Sequence, residues 1–280
     1  MDARAWPVVL AALLAAGPAH ADGEDELVAL INARRAETRD CAGRQRPAAS
    51  PLAPSAALAQ VDARTSSELG KALSKAGYLA SSAATIVVSG PRDAQEALRQ
   101  IELHYCTPLL DARYADIGVA RSGSTWRINI ARPLIAKDLG DWRHAGQTVL
   151  TLVNEARGRP RVCGDRSFAP APPLAWNDQL AQAALVHSRD MAQRNYFDHV
   201  EPGGASVAER ATKTGYRWRA VGENIAAGQG SAKQVVAGWL ASPGHCVNIM
   251  SREFAEMGAA YAINPHSAME IYWTQAFGAR

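Results

Sequence analysis

The chain contains two diverged copies of a single domain-sized sequence. Residues 27–61 and 149–183 align without a gap at an offset of 122, and thirteen of these 35 positions are identical. The similarity resumes later in each copy at an offset of 140, so the first copy lacks 18 residues that the second contains. Identical pairs include Asn32/Asn154, Arg35/Arg157, Cys41/Cys163, Leu58/Leu180, Cys106/Cys246 and Gly118/Gly258. Solenoid units are only about 20–50 residues long, so the repeat predicts two related globular domains.

The composition is that of a globular chain and narrows the choice of partners. Its 280 residues are enough for two hydrophobic cores, and its hydrophobic and charged fractions, 48% and 20%, are those of a folded protein. The formal net charge of +3 is mild, so we expect neither a nucleic acid nor an anionic membrane as partner.

Residues 1–21 have the pattern of an export signal. Arg4 supplies a positive charge, residues 8–16 form an apolar run, and Ala19-His20-Ala21 fits the small-x-small cleavage pattern, which predicts a mature start near Asp22. The apolar run is shorter than the roughly 20 residues of a membrane-spanning helix, and no later segment has that length. We therefore predict a secreted or periplasmic protein with no transmembrane segment.

Each copy has one cysteine early and one late, which suits an oxidising compartment. Because equivalent positions in two copies imply equivalent bonds, the repeat predicts the disulfides Cys41–Cys106 and Cys163–Cys246. The alternative is four buried free thiols.

Helical and strand patterns are mixed without regular βαβ alternation, which favours an α+β fold in which helices cover a sheet. We place the first domain at 22–132, a linker at 133–146 and the second domain at 147–280. Two capping boxes, Ser206 with Glu209 and Ser231 with Gln234, predict helix starts in the second domain.

Three polar residues of the second copy have no counterpart in the first. The loop that contains His199 falls largely in the gap, His245 aligns with Tyr105, and the segment opposite Glu223, residues 82–85, has no carboxylate. His199, Glu223 and His245 are therefore dispensable for folding and are candidate functional residues. Two histidines and a carboxylate could hold zinc with an open position. In a hydrolase, the two histidines would hold the zinc and Glu223 would act as a general base.

Simpler structural roles compete with the functional ones. His199 suits a loop, Glu223 a cap or turn, and His245 a contact with buried backbone groups. His187 lies on the apolar face of a helix, which favours a hydrogen-bonded core residue over a ligand. Asn224 suits a turn or a cap better than a ligand contact.

A serine or cysteine nucleophile is not indicated. The chain has no Gly-x-Ser-x-Gly motif, Ser206 is explained as a helix cap, and Ser242 precedes Pro243 in a predicted turn. Both cysteines of the second copy, Cys163 and Cys246, have predicted disulfide partners.

The second copy also contains a set of motifs that resembles a known family. These are Pro173-Leu174-Ala175-Trp176-Asn177, His187-Ser188-Arg189-Asp190-Met191-Ala192, Phe197-Asp198-His199, Gly222-Glu223-Asn224-Ile225-Ala226, Trp239, Ser242-Pro243-Gly244-His245-Cys246, Asn248-Ile249-Met250 and Tyr272-Trp273-Thr274-Gln275-Ala276-Phe277. Residues 147–280 resemble the CAP superfamily of cysteine-rich secretory, antigen 5 and pathogenesis-related class 1 proteins, in its bacterial SCP-like form. The first copy resembles a degenerate CAP domain.

The resemblance implies two tandem α-β-α sandwiches, each with a central, mostly antiparallel sheet. It also implies a cleft in the second domain, to which we assign His199, Glu223, Asn224 and His245. Some family members bind zinc or another divalent cation through two histidines, which here are His199 and His245. A second family glutamate is missing, because Ser242 stands one turn after the family tryptophan, Trp239.

Three functions follow as hypotheses, since a fold alone does not imply an activity. The favoured one is binding of a small apolar or cell-envelope ligand, such as a lipid, in the cleft of the second domain, with or without a divalent metal. The alternatives are a metal-assisted hydrolase or peptidase, and a structural or protein-interaction module. We expect the first domain to pack on the second as a partner or cover.

Overall fold

The computed structural model describes residues 23–41 and 43–280. The predicted export signal lies outside them. The first copy contains α1 (Gly23–Arg35), β1 (Arg39–Cys41), β2 (Arg44–Arg46), β3 (Ala53–Pro54), α2 (Ala56–Gln60), α3 (Ser66–Lys75), β4 (Ala80–Ser89), α4 (Ala94–Leu109), β5 (Asp116–Ser122) and β6 (Thr125–Pro133). The second contains α5 (Trp142–Arg157), β7 (Arg161–Cys163), β8 (Arg166–Phe168), β9 (Ala175–Trp176), α6 (Asp178–Arg194), α7 (Val207–Lys213), β10 (Ala220–Ala227), α8 (Ala232–Leu240), α9 (Pro243–Met250), β11 (Glu256–Ile263) and β12 (Ile271–Ala279).

Each copy has a four-stranded sheet, and the strand order is the same in both. The first sheet runs β3-β5-β6-β4 and the second β9-β11-β12-β10. The long strands pair antiparallel, while the short strands β3 and β9 pair parallel to their neighbours. The common topology is what a duplicated domain requires, and it confirms the predicted α+β class.

Helices cover both faces of the second sheet. Successive side chains of a strand point to opposite faces, and in β12 they enter different cores. Trp273 and Phe277 pack in a core with residues of α5, α8 and α9, whereas Ala276 packs in one with residues of α6 and α7, and Tyr272 in another with residues of α6. The whole of β12 is buried as a result. The first sheet is likewise covered by α1 and α4 on one face and by α2 and α3 on the other.

The asparagine repeated between the copies ties the first helix of each copy to the start of its sheet. The side chain of Asn32 donates from Nδ2 to the carbonyl oxygen of Leu52 at 3.0 Å and accepts from the Leu52 N–H at 2.8 Å. Asn154 makes the same two bonds with Leu174, at 3.0 and 2.8 Å. The side-chain amide satisfies both backbone groups of one buried residue, which explains its identity in the two copies.

The repeated arginine has an equivalent structural role. Arg35 donates from Nη1 to the carbonyl oxygen of Leu109 at 2.6 Å, and Arg157 donates from Nη1 to that of Ile249 at 2.6 Å. Both acceptors lie at the end of a late helix, and both arginines are almost fully buried. Burial lowers the pKa of each guanidinium to about 10, so both remain charged at neutral pH.

Both predicted disulfides are present. Cys41 is bonded to Cys106, and Cys163 to Cys246. Each bond joins the hairpin after the first helix to a later helix of the same copy, which confirms the pairing inferred from the repeat. No cysteine among the described residues is free.

The two copies contact each other through a buried polar network. Gln229 of the second copy donates from Nε2 to the carbonyl oxygen of Pro51 at 2.6 Å, and the Ala227 N–H donates to Ser50 Oγ at 2.9 Å. Between the copies, α5 begins at Trp142, inside the range 133–146 that we predicted as a linker. None of the helices within 23–41 and 43–280 combines the length and apolarity needed to cross a bilayer.

Candidate functional site

Three sequence-predicted residues surround one cavity of about 390 Å³. His199 lies in the loop after α6, Glu223 on β10, and His245 in the first turn of α9. The cavity is lined by Ala33, Ala36, His199, Glu223, Ser242, Pro243, Gly244, His245 and Asn248. We refer to this cavity as the cleft.

Glu223 is the buried centre of the polar side of the cleft. Its side chain is only 3% exposed. One carboxylate oxygen, Oε1, accepts from Nδ1 of His199 at 2.9 Å and lies 3.8 Å from Nε2 of His187. The other, Oε2, accepts from Nη2 of Arg210 at 2.6 Å. Both carboxylate oxygens are therefore engaged by protein groups.

Arg210 is a site residue that the sequence did not reveal. It lies on α7, and its side chain is 2% exposed. Besides Glu223, it donates to the carbonyl oxygens of His199 at 3.1 Å and Ala205 at 2.9 Å. Arg210 therefore neutralises the carboxylate and holds the loop that contains His199. Nothing local distinguishes it among the 30 basic residues of the chain.

Ser242 also belongs to the site, contrary to its interpretation as a turn residue. It is the N-cap of α9, a helix that we did not predict, and Pro243 occupies the first turn of that helix. The Ser242 hydroxyl makes no cap hydrogen bond and instead lies 2.9 Å from Nδ1 of His245. Ser242, which stands where the family has its second glutamate, thus contacts His245 through a neutral hydroxyl.

His245 is expected to remain neutral well below physiological pH. Burial lowers its pKa to about 3, and the nearby His199 adds to that shift. A solvent-exposed imidazole titrates near pH 6.5, so at pH 5 most histidines are protonated and His245 should not be. Nuclear magnetic resonance of the imidazole protons between pH 4 and 8 tests this, with the chemical shift of His245 staying flat. A midpoint above pH 6 for His245 would contradict the burial argument.

His187 and Asn224 lie behind the cleft. His187 is fully buried, its Nε2 lies 3.0 Å from the carbonyl oxygen of Asp198, and burial lowers its pKa to about 4. Asn224, which we assigned to the cleft, is fully buried and does not line it. Adjacent strand residues point to opposite faces, so Asn224 turns away from Glu223 and its Oδ1 accepts from Nδ2 of Asn248 at 3.0 Å. That bond fastens α9 to the sheet.

The donor set of the cleft does not fit a catalytic zinc ion. Such an ion takes three protein ligands and one open position. Within 23–41 and 43–280, no three His, Cys, Asp or Glu side chains are grouped to hold a metal. The carboxylate of Glu223 is already paired with a guanidinium, which also repels a dication. Zinc binding through His199 and His245 alone stays a prediction from the family resemblance.

The described part of the first copy has no equivalent of Glu223. Glu223 pairs with Ala276 in the second sheet, and the same register position of the first sheet is Thr85, opposite Asn129. The hydroxyl of Thr85 donates to the carbonyl oxygen of Ala63 at 3.4 Å. The polar centre of the cleft is thus replaced by a short side chain bonded to the backbone.

The first copy nevertheless supplies one wall of the cleft. Ala33 on α1 and Ala36 just beyond it both line the cavity. Asn32, one residue earlier, donates from Nδ2 to the carbonyl oxygen of Ala241 at 3.2 Å, next to Ser242. The small side chains at 33 and 36 leave the cavity open while α1 closes one side of it.

The family model of the cysteine-rich secretory proteins, abbreviated CAP, matches residues 150–277. The match contains the cavity-lining residues of the second copy and both cysteines of its disulfide. Residues 150–277 are a CAP domain. The family assignment made from the motifs is thereby confirmed.

Two curated bacterial proteins are similar to part of this chain. YkwD of Bacillus subtilis (strain 168) is 35% identical over 105 residues, which is 38% of this chain and 39% of that protein. The membrane protein YlbC of the same organism is 33% identical over 85 residues, which is 30% of this chain and 25% of that protein. The chain thus spans less than half the length of either relative.

One solved structure superposes loosely on much of this chain. It is an extracellular protein containing a SCP domain from Bacillus anthracis str. Ames, with a TM-score of 0.44 and 18% identity, over 79% of this chain and 76% of that one.

Proposed function

We propose that this protein is an exported binding module whose CAP-domain cleft takes a small ligand of the cell envelope. The observation that carries the proposal is the composite cavity, in which Ala33 and Ala36 of the first copy face His199, Glu223 and His245 of the CAP domain. The two intact disulfides fit an oxidising compartment, secreted or periplasmic.

The electrostatics of the cleft favour an uncharged polar group. The negative charge of Glu223 is neutralised by Arg210 in a pair that is almost fully buried. His245 is neutral because burial lowers its pKa to about 3. A hydroxyl, amide or carbonyl group could therefore hydrogen-bond to the imidazoles without a counter-charge. The alanines of the first copy and Pro243 offer apolar contact to the rest of the ligand.

Filling the cleft from the first copy should weaken binding while leaving the CAP domain intact. We expect Ala36→Leu to weaken binding by at least about tenfold, because the added atoms occupy ligand space. The measurement is the ligand-induced rise in melting temperature with uncharged probes, N-acetylglucosamine and dihexanoylglycerol, which reports binding to the folded state.

The matched control is Ala56→Leu, an equal change at an exposed position of α2. It should bind like wild type. A probe that binds Ala36→Leu as tightly as wild type would place its site elsewhere, and the absence of any shift across the probes would count against the proposal. Stoichiometric zinc binding that is lost in a His199→Ala/His245→Ala protein, or turnover abolished by chelator, would instead favour the metal-assisted hydrolase.

A further inference from the structure

One carboxyl group at the contact between the copies is buried without a charged partner. Asp116 lies at the start of β5 and is 1% exposed. Its Oδ2 accepts from the Tyr78 hydroxyl at 2.5 Å and from Nε2 of Gln234 at 2.7 Å. Its Oδ1 is buried with no hydrogen-bond partner among the described residues. Gln234 belongs to the CAP domain, so the second copy closes over a carboxyl group of the first.

The equivalent carboxyl group of the second copy does have a charged partner. Glu256 is at the equivalent position, 140 residues later, and accepts from the Tyr216 hydroxyl at 2.7 Å, Asn177 at 2.9 Å and Arg280 at 3.2 Å. Although burial raises the pKa of Glu256, these bonds and the charge of Arg280 bring it below its usual value. The tyrosine donates in both copies, but the first carboxyl group has an amide of the other domain among its donors and, within the described residues, no arginine.

The same glutamine departs from the capping box that we predicted for it. Ser231 Oγ does accept from the Gln234 N–H, as a cap should. The Gln234 side chain then bonds at both ends: its Oε1 accepts from Ser231 Oγ at 3.0 Å at the helix start, while its Nε2 donates to Asp116 in the other copy at 2.7 Å. A residue that the sequence explains locally is thus used across the interface.

This contact is linked to the wall of the cleft. Gln234 lies on α8, and the residue that follows that helix, Ala241, accepts a hydrogen bond from Asn32 on α1. Ala33 and Ala36 of the wall follow Asn32 by one and four residues. The contacts that Gln234 and Ala241 make with the first copy thus lie at the two ends of the same helix, α8.

We propose that Asp116 and Gln234 form a proton-sensitive latch between the copies, which sets how tightly the first copy closes the cleft. The effect of the latch on a cleft ligand rests on the proposed function. The docking of the two copies does not, because it requires no ligand. When Asp116 is ionised, a buried charge lies at the interface without a cation. When it is protonated, that cost is removed and the copies dock more firmly.

The direction of the pH dependence follows from burial. Burial raises the pKa of Asp116 from 3.8 to about 6, although the hydrogen bonds from Tyr78 and Gln234 lower it. The docked form therefore holds a proton that an uncovered aspartic acid releases, so docking strengthens as the pH falls from about 6 toward 4. Tyr78 stays a donor throughout, because burial raises its pKa.

The charged groups on the surrounding elements do not offset the effect of burial on the pKa of Asp116. Three nearby arginines are engaged elsewhere: Arg127 pairs with Asp62, Arg132 pairs with Glu270, and Arg35 donates to backbone carbonyls. The remaining charged residues on the packed helices are Glu24, Asp25, Glu26, Arg34 and Lys233. None of the described groups other than Tyr78 and Gln234 bonds to the Asp116 side chain.

Hydrogen exchange of one backbone amide measures the docking directly. The Ala227 N–H donates to Ser50 Oγ across the interface, whereas the Ser55 N–H donates to Ile117 within the first copy. With no ligand present and intrinsic rates corrected, protection of Ala227 relative to Ser55 should rise up to about tenfold from pH 7.5 to pH 5.

Two variants decide the outcome. Asp116→Asn is a neutral isostere that keeps an acceptor for Tyr78 and Gln234, so Ala227 should be highly protected at both pH values. Gln234→Met should lower the protection at both, and Gln60→Met, a control on α2, should not. A flat profile in wild type, an unchanged profile in Asp116→Asn, or full protection in Gln234→Met would overturn the latch. None of these readouts depends on a cleft ligand, so failure of the binding proposal would leave them interpretable.

Discussion

Replacing Arg210 with methionine should lower the free energy of unfolding by about 3–5 kcal/mol, the usual cost of removing one partner from a buried ion pair. Its partner, Glu223, has a side chain only 3% exposed, and the 2.6 Å bond between them is the carboxylate's contact with a cation. Without the guanidinium, Glu223 is an uncompensated buried charge. The carbonyl oxygens of His199 and Ala205 lose a donor at the same time. Urea unfolding of the purified protein is the measurement.

Two control proteins separate the buried charge from general damage. The double variant Arg210→Met/Glu223→Gln should recover most of the loss, because neither charge is left unpaired. Arg92→Met removes the arginine of an ion pair whose guanidinium side chain is 85% exposed, and it should cost less than about 1 kcal/mol. If Arg210→Met also costs less than about 1 kcal/mol, the pair has the energetics of a surface contact and Arg210 does not organise the site.

Replacing Gly258 with alanine should destabilise the protein by about 3 kcal/mol, at the upper end of the usual range for overpacking a core. A Cβ atom there would lie 2.0 Å from the backbone nitrogen of Ala181 and 2.4 Å from its Cα. Backbone atoms cannot rotate away as a flexible side chain can, so α6 would have to move off β11. The equivalent Gly118 is as tightly placed, with its Cβ position 2.1 Å from the nitrogen of Ala59.

The matched control is Gly70→Ala on α3, where an added Cβ meets nothing within 4 Å. This change should stabilise the protein by about 0.5–1 kcal/mol, because alanine loses less backbone entropy than glycine in a helix. Both variants are compared by chemical unfolding. A Gly258→Ala protein as stable as wild type would show that α6 and β11 are less closely packed than described.

The duplication explains why much of the architecture could be predicted from the residues alone. Equivalent cysteines in two copies predicted the pairs Cys41–Cys106 and Cys163–Cys246, because the same fold places equivalent positions at the same distance. The repeated Asn32/Asn154 and Arg35/Arg157 marked buried side chains that bond to backbone groups in both copies. Motifs of the second copy predicted its family. These inferences need only local patterns and one internal comparison.

The partners of the site residues could not be predicted in the same way. His199, Glu223 and His245 stood out because the first copy lacks them, but nothing in the chain pointed to Arg210. Ser242 was noted only as standing where the family has a glutamate, and its bond to His245 was not predicted. Asn224 was assigned to the cleft because it follows Glu223 in the sequence. The alternation of a strand turns it to the other face of the sheet.

The residues alone predicted two related domains, the cysteine pairs and the family of the second domain. The tertiary contacts add that α1 of the first copy walls the cleft and that Gln234, besides bonding to Ser231 at its helix start, reaches across to Asp116. The physical reason is the range of the interactions. Periodicity, capping and repeated residues act over a few neighbours or are visible by comparing copies, whereas burial and charge pairing depend on which distant surfaces the fold presses together.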